Sequence, residues 1–104
     1  MDKRSLARRA PRMTNVIGAL FYQGWYDDRS ADETLELAFG YRCAAERQEV
    51  VREIDTLLLA LPARIDVEEF FLSFNVDIDF RRDFDGDVRA WLEAARGVVM
   101  GFAP

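Results

Sequence analysis

Five aspartates in eleven residues, Asp77, Asp79, Asp83, Asp85 and Asp87, are the densest set of potentially reactive side chains in this 104-residue chain. Carboxylates at such spacing can ligate calcium, transfer protons, or present negative charge to a basic partner. Calcium ligation fails on register. An EF-hand loop counted from Asp77 puts Arg81 at the fifth position and Val88 at the twelfth, where a bidentate Glu belongs. Proton transfer needs a second chemical group. Adjacent pairs such as Asp27/Asp28 and Glu68/Glu69 are expected by chance in a chain with 19 acidic residues. No nucleophile signature, Gly-rich phosphate loop or oxyanion motif accompanies them. The chain has no histidine, which removes the commonest general base and the commonest metal ligand together. Cys43, the sole cysteine, has no histidine to activate it and falls on the apolar stripe of an expected helix, where it reads as a small core hydrophobe. The expectation is a protein that is not an enzyme and has no metal site. Its acidic loop is then either a solvated face with Asp85 capping a helix, or a recognition surface for a basic protein.

A second constellation is aromatic: Phe21-Tyr22-Gln23-Gly24-Trp25-Tyr26-Asp27-Asp28. Phe21 continues a helical apolar stripe and reads as core. Trp25 and Tyr26 follow a glycine at a break, where aromatics are either core plugs or interface anchors. Phe21 and Trp25 are expected to lock the first helix onto the body, against Trp91. Tyr26, Asp27 and Asp28 are better placed to face a partner.

Charge divides the chain. Residues 1–12 carry Lys3, Arg4, Arg8, Arg9 and Arg12 against Asp2, a balance of +4 in a chain of net charge −5, which leaves −9 for residues 13–104. An acidic body repels nucleic acid and suits a basic partner. The basic stretch reads as a flexible, solubilising arm. Its cations also support an alternative reading, a small regulatory adaptor or a nucleic-acid-binding protein using the arm. No apolar run approaches the roughly 20 residues that a membrane span needs. No signal-peptide pattern follows the basic stretch. With a single cysteine and no possible internal disulfide, the cytoplasm is the expected compartment.

These residues must be held by helices. Val16, Ile17, Leu20 and Phe21 predict a first helix over about 14–22, stopped by Gly24. Ser30 with Glu33 forms a capping box that opens a second, carrying Leu35, Ala38, Phe39 and Cys43, with Gly40 inside it. Val50, Val51, Ile54, Leu57, Leu58 and Leu61 give the clearest stripe, ended by Pro62. Periodicity leaves open whether these last two helices join near Arg42–Glu46. Asp66 is expected to cap a fourth helix with Val67, Phe70, Phe71 and Phe74. A fifth follows Asp85-Gly86, with Val88, Trp91, Leu92, Ala95, Val98, Val99 and Phe102 on one stripe. Between them Val76, Ile78 and Phe80 alternate with Asp77 and Asp79, the pattern of an extended segment or short strand lying across the helices. The predicted fold class is therefore all-α. It is a compact bundle of about five helices over residues 13–104, with one extended acidic loop.

Phe21-Tyr22-Gln23-Gly24-Trp25, followed by acids and a capped helix, resembles the Phe-His-Gln-Asp-Trp signature of small helical immunity proteins. These belong to contact-dependent growth inhibition and related polymorphic toxin systems. The similarity continues through the Glu- and Leu-rich helix Glu46–Leu61 to Arg89-Ala90-Trp91-Leu92, which resembles the family's closing Arg-x-Trp-Leu helix. It covers roughly residues 15–96. Phe21, Gln23, Trp25, Trp91 and Leu92 match, whereas Tyr22 stands in place of His and Gly24 in place of Asp. The resemblance implies a cytoplasmic antitoxin that binds the C-terminal domain of one cognate toxin and blocks it, without catalysis or cofactor. Many such toxins are nucleases, whose phosphate-binding clefts are cationic. Asp77, Asp79, Asp83 and Asp85, with Tyr26, Asp27 and Asp28, are the residues expected to meet the toxin.

Overall fold

The computed structural model describes residues 2–102, and its regular structure is wholly helical. In chain order the helices are α1 (Lys3–Arg9), α2 (Pro11–Leu20), α3 (Ala31–Phe39), α4 (Ala44–Ala60), α5 (Arg64–Leu72), α6 (Phe80–Phe84) and α7 (Val88–Met100). A 3-10 turn at Trp25–Asp27 lies between α2 and α3, and no strand occurs among the described residues. The chain is thus an all-α bundle. The five helices predicted from periodicity are α2, α3, α4, α5 and α7, and two short helices join them.

The antiparallel pair α4 and α7 forms the centre. Val50, Ile54 and Leu57 of α4 and Val88, Leu92, Ala95 and Val99 of α7 are each almost fully buried. Three arginines fix the register of the pair. Arg89 donates to the carbonyls of Leu58 and Leu61 at the end of α4, Arg96 pairs with Asp55, and the buried Arg47 donates to the carbonyls of Val99 and Phe102. The last of these contacts satisfies carbonyls that a helix C-terminus otherwise leaves open. Helices α3 and α5 flank α7, and α1 and α2 lie on α4. Glu53 of α4 is buried, and it accepts from the Met13 N–H at 3.0 Å and from Arg12 at 2.9 Å. It supplies the anion that the first turn of α2 lacks, because the helix opens on Ala10 and Pro11 with no side-chain cap.

Several local expectations are corrected. The basic stretch is helical over the described residues: α1 is capped by Asp2, buries Leu6, and runs through buried Ala10 into α2, which starts at Pro11 rather than near residue 14. Its cations also serve the fold, since Lys3 donates to the Ser73 carbonyl at 2.6 Å and sits over the Phe74 ring. Cys43 is exposed, not core, because α3 ends at Phe39 with Gly40 as its C-cap and Cys43 precedes the first turn of α4. The second and third predicted helices are therefore separate. Ala63, not Asp66, occupies the cap position of α5, while Asp66 reaches back from the first turn to accept the Ala63 N–H at 3.0 Å. The alternating segment forms no strand: it is irregular over residues 76–79, with Asp79 in an extended conformation, and then becomes α6.

Candidate functional site

Gly24 opens the construction of the acidic segment. Its φ of 79° lies in the left-handed region, where glycine is favoured, and it turns the chain sharply after α2. The turn delivers Trp25 into the core, 1% exposed, with its ring edge-on to Phe21 at 4.6 Å between centroids. The irregular segment 76–79 then docks on this turn through Asp77. The Asp77 N–H donates to the Phe21 carbonyl at 2.9 Å, its carbonyl accepts the Trp25 Nε1–H at 2.7 Å, and its Oδ2 accepts the Gly24 N–H at 3.0 Å. Asp77 is thus bound on three sides and half-buried.

The next aspartates build α6. Asp79 Oδ1 accepts the N–H groups of Arg81 and Arg82, each at 3.0 Å, and so caps the helix. That hydrogen bonding, above all from the Arg82 N–H, holds the Asp79 carboxyl below its ordinary value of 3.8. Asp83 accepts the Asp79 N–H at 2.9 Å and takes a two-pronged contact from Arg82 at 2.7 and 2.8 Å. Its side chain is only 3% exposed, too little to reach a partner. The Arg82 guanidinium also lies over the Tyr26 ring, 3.4 Å from its centroid, so one face of Tyr26 is covered from within the chain. Asp85 ends α6 with a left-handed φ of 53°, and Gly86 follows at 81°. Asp85 does not cap the next helix as expected. Asp87 does, with Oδ1 accepting the Ala90 N–H at 3.0 Å.

This tight turn sets the α6–α7 junction against the start of α3. A cleft of about 420 Å³ opens between them, walled by Asp32, Asp83, Asp85 and Asp87 with Ser30, Phe84 and Trp91. The half-buried Trp91 donates its Nε1–H to Asp32 Oδ1 at 2.8 Å and packs on Phe84 at 4.9 Å between centroids. Phe84 in turn meets Phe21 at 6.1 Å, so Phe84 stands where direct contact between Trp25 and Trp91 was expected. Four carboxylates and no Lys or Arg wall the cleft among the described residues. No group of three or more Cys, Asp and Glu side chains is arranged to hold a metal ion among those residues. What the cleft can do chemically is accept a cationic side chain, with carboxylates at its rim and an indole at its side.

The sequence-predicted residues thus separate. Phe21, Trp25 and Leu92 are core, Gln23 is exposed, and Trp91 is both a packing and a cleft residue. Asp83 and Asp85 reach the cleft, whereas Asp77 and Asp79 are tied into the backbone below and beside it. Asp27 and Asp28 are exposed in the turn that leads to Ser30. Asp32 was not among the expected site residues. The Ser30–Glu33 capping box placed it in the first turn of a helix, but only the tertiary fold sets it beside Trp91. Compared with known proteins, no family model, no curated protein and no solved structure matches this chain.

Proposed function

We propose that this chain is an immunity protein, a cytoplasmic antitoxin that binds one cognate toxin domain and blocks it through the cleft between α3 and the α6–α7 turn. The observation that carries this reading is the cleft wall: the carboxylates of Asp32, Asp85 and Asp87 beside a half-buried indole, with no Lys or Arg among the described wall residues and with Asp83 already paired to Arg82, on a chain of net charge −5. Such a surface complements a cationic active-site groove of the kind a nuclease uses for phosphates, and it steers encounter at long range. Trp91 supplies the desolvated aromatic anchor that such interfaces use. The resemblance at Phe21, Gln23, Trp25, Trp91 and Leu92 supports the same reading. Three of those residues hold the aromatic core, so the shared motif concerns the scaffold more than the contact face.

Co-expression with the toxin domain encoded beside this chain tests the proposal. A stable complex and protected growth are expected, and the double substitution Asp32→Asn with Asp85→Asn is expected to slow association and flatten its dependence on salt. No complex and no protection would sink the reading. The nucleic-acid alternative has fewer free cations than the sequence promises. Lys3 and Arg12 are engaged within the chain, whereas Arg4, Arg8 and Arg9 of α1 are exposed. Charge removal at Arg4 and Arg8 is expected to leave protection intact.

A further inference from the structure

A second surface lies away from the acidic cleft and shares no residue with it. A groove of about 350 Å³ runs between α2 and the α3–α4 junction, floored by Val16, Ala19, Leu20 and Ala38. Leu37 and Tyr41 form a ridge along it, and beyond that ridge a shallower hollow reaches Phe102. Leu37 is 55% exposed and Tyr41 75% exposed, so two large side chains, one in the last turn of α3 and one just past it, stand in solvent beside a furrow of mixed polar and apolar lining. Side chains of this kind cluster in interface centres, and Tyr is among the commonest anchors there.

The charges around the groove say what fits it. Arg12 and Arg42 stand on its rim, each with its own anion: Arg12 with Glu53 at 2.9 Å and Arg42 with Glu46 at 3.7 Å. The rim is therefore close to neutral on a chain that carries −5 overall. Two copies meeting through the acidic cleft would set carboxylates against carboxylates. Two copies meeting through the groove can set Arg42 of one near Glu46 of the other, because both signs lie on the same rim. A patch that holds a ridge beside a furrow, and a cation beside an anion, is self-complementary about a twofold axis. We infer that the α2–α3–α4 groove is the isologous docking surface for a second copy of this chain. Tyr41 of each copy enters the furrow of the other. The exposed Cys43, two residues further on, then lies near the axis.

Sedimentation equilibrium of the full chain between about 1 and 500 µM tests this, since a small interface of this type gives affinities in the micromolar range. A reversible monomer–dimer equilibrium is expected. Tyr41→Asp and Leu37→Asp are each expected to raise the dimer Kd by at least about thirtyfold, the scale of losing an anchor residue. Both positions are exposed, so an unchanged far-UV circular dichroism spectrum verifies the fold. A short bis-maleimide is expected to link Cys43 to Cys43 in the parent protein and not in Tyr41→Asp. A monomer throughout the concentration range overturns the inference, as does a dimer that Tyr41→Asp leaves intact. Binding of the basic partner is expected to survive both substitutions, so failure here is separable from failure of the antitoxin reading.

Discussion

Replacing Asp77 with Ala removes one bond and leaves two. The links from its N–H to the Phe21 carbonyl and from the Trp25 indole to its own carbonyl are main-chain contacts and persist. What disappears is the carboxylate that accepts the Gly24 N–H at 3.0 Å. A hydrogen bond to a charged group is worth about 1.5–3 kcal/mol net. Gly24 and Asp77 are both half-buried, so water replaces part of the loss, and the expected cost is about 1–2 kcal/mol. For a domain of this size that is a fall in Tm on the order of 5–10 °C. Urea unfolding followed by circular dichroism measures it, with Asp28→Ala, in an exposed turn position, as the control that stays within about 0.5 kcal/mol of the parent. Asp77→Asn keeps an acceptor and is expected to recover more than half of the loss. If Asp77→Ala is as stable as Asp28→Ala, the carboxylate does not anchor the turn. Asp77 then returns to the residues free to touch a partner.

Glu53→Ala leaves the Met13 N–H and Arg12 without their acceptor in a buried place. With the Arg12 side chain 47% exposed, a loss of about 2–3 kcal/mol is expected in urea unfolding, at or below the low end for breaking a buried pair. The two tryptophans give an optical check: Trp91→Phe leaves the buried Trp25 as sole emitter, and its fluorescence is expected to resist acrylamide far better than that of Trp25→Phe. Asp79 has a folded-state pKa below 3.8, so its cap stabilises the fold above that value and the contribution is lost as pH falls through the lowered pKa. The stability gap between parent and Asp79→Ala is therefore expected at pH 7 and is expected to shrink at the acidic end of a pH series of urea titrations.

The helices were legible where one side of a helix meets one core. The stripes of α4 and α7 and the Ser30–Glu33 capping box are local patterns, and each is present as read. The errors fall where a long-range partner decides. α1 is short, and its first turn has only Leu6 to bury, so the five cations around it outweighed that signal; its docking depends on Ser73 and Phe74, some 70 residues away in sequence. Cys43 followed the stripe of α3 in projection, but the helix stops four residues before it. In the acidic segment the expected alternation is not seen in burial, since Val76, Asp77 and Ile78 are all half-buried. What composition could not reveal is that four of the five aspartates bond to backbone N–H groups. A run of Asp reads as a charged surface, yet Asp is also among the best acceptors for helix starts and turns.

These local bonds do not cancel the acidic face, and this bears on how binding divides into rates. A carboxylate that caps a helix still carries its charge, so Asp79 and Asp87 contribute to the long-range field even though their oxygens are occupied. Asp83 is the exception, because Arg82 neutralises it at contact distance. Short-range contact is a separate matter and falls to groups with open oxygens at the cleft, Asp85 foremost, and to the indole of Trp91. Asp79→Asn keeps a competent cap and removes only charge. It is therefore expected to lower the association rate of the basic partner, by a factor that shrinks with added salt, and to leave dissociation nearly unchanged. Trp91→Ala is expected to do the reverse, raising the dissociation rate with little effect on association. Stopped-flow association at two ionic strengths, together with a dissociation chase, separates the two. If Asp79→Asn acts on dissociation instead, the partner touches the capped end of α6 directly, and the interface extends from the cleft onto that helix.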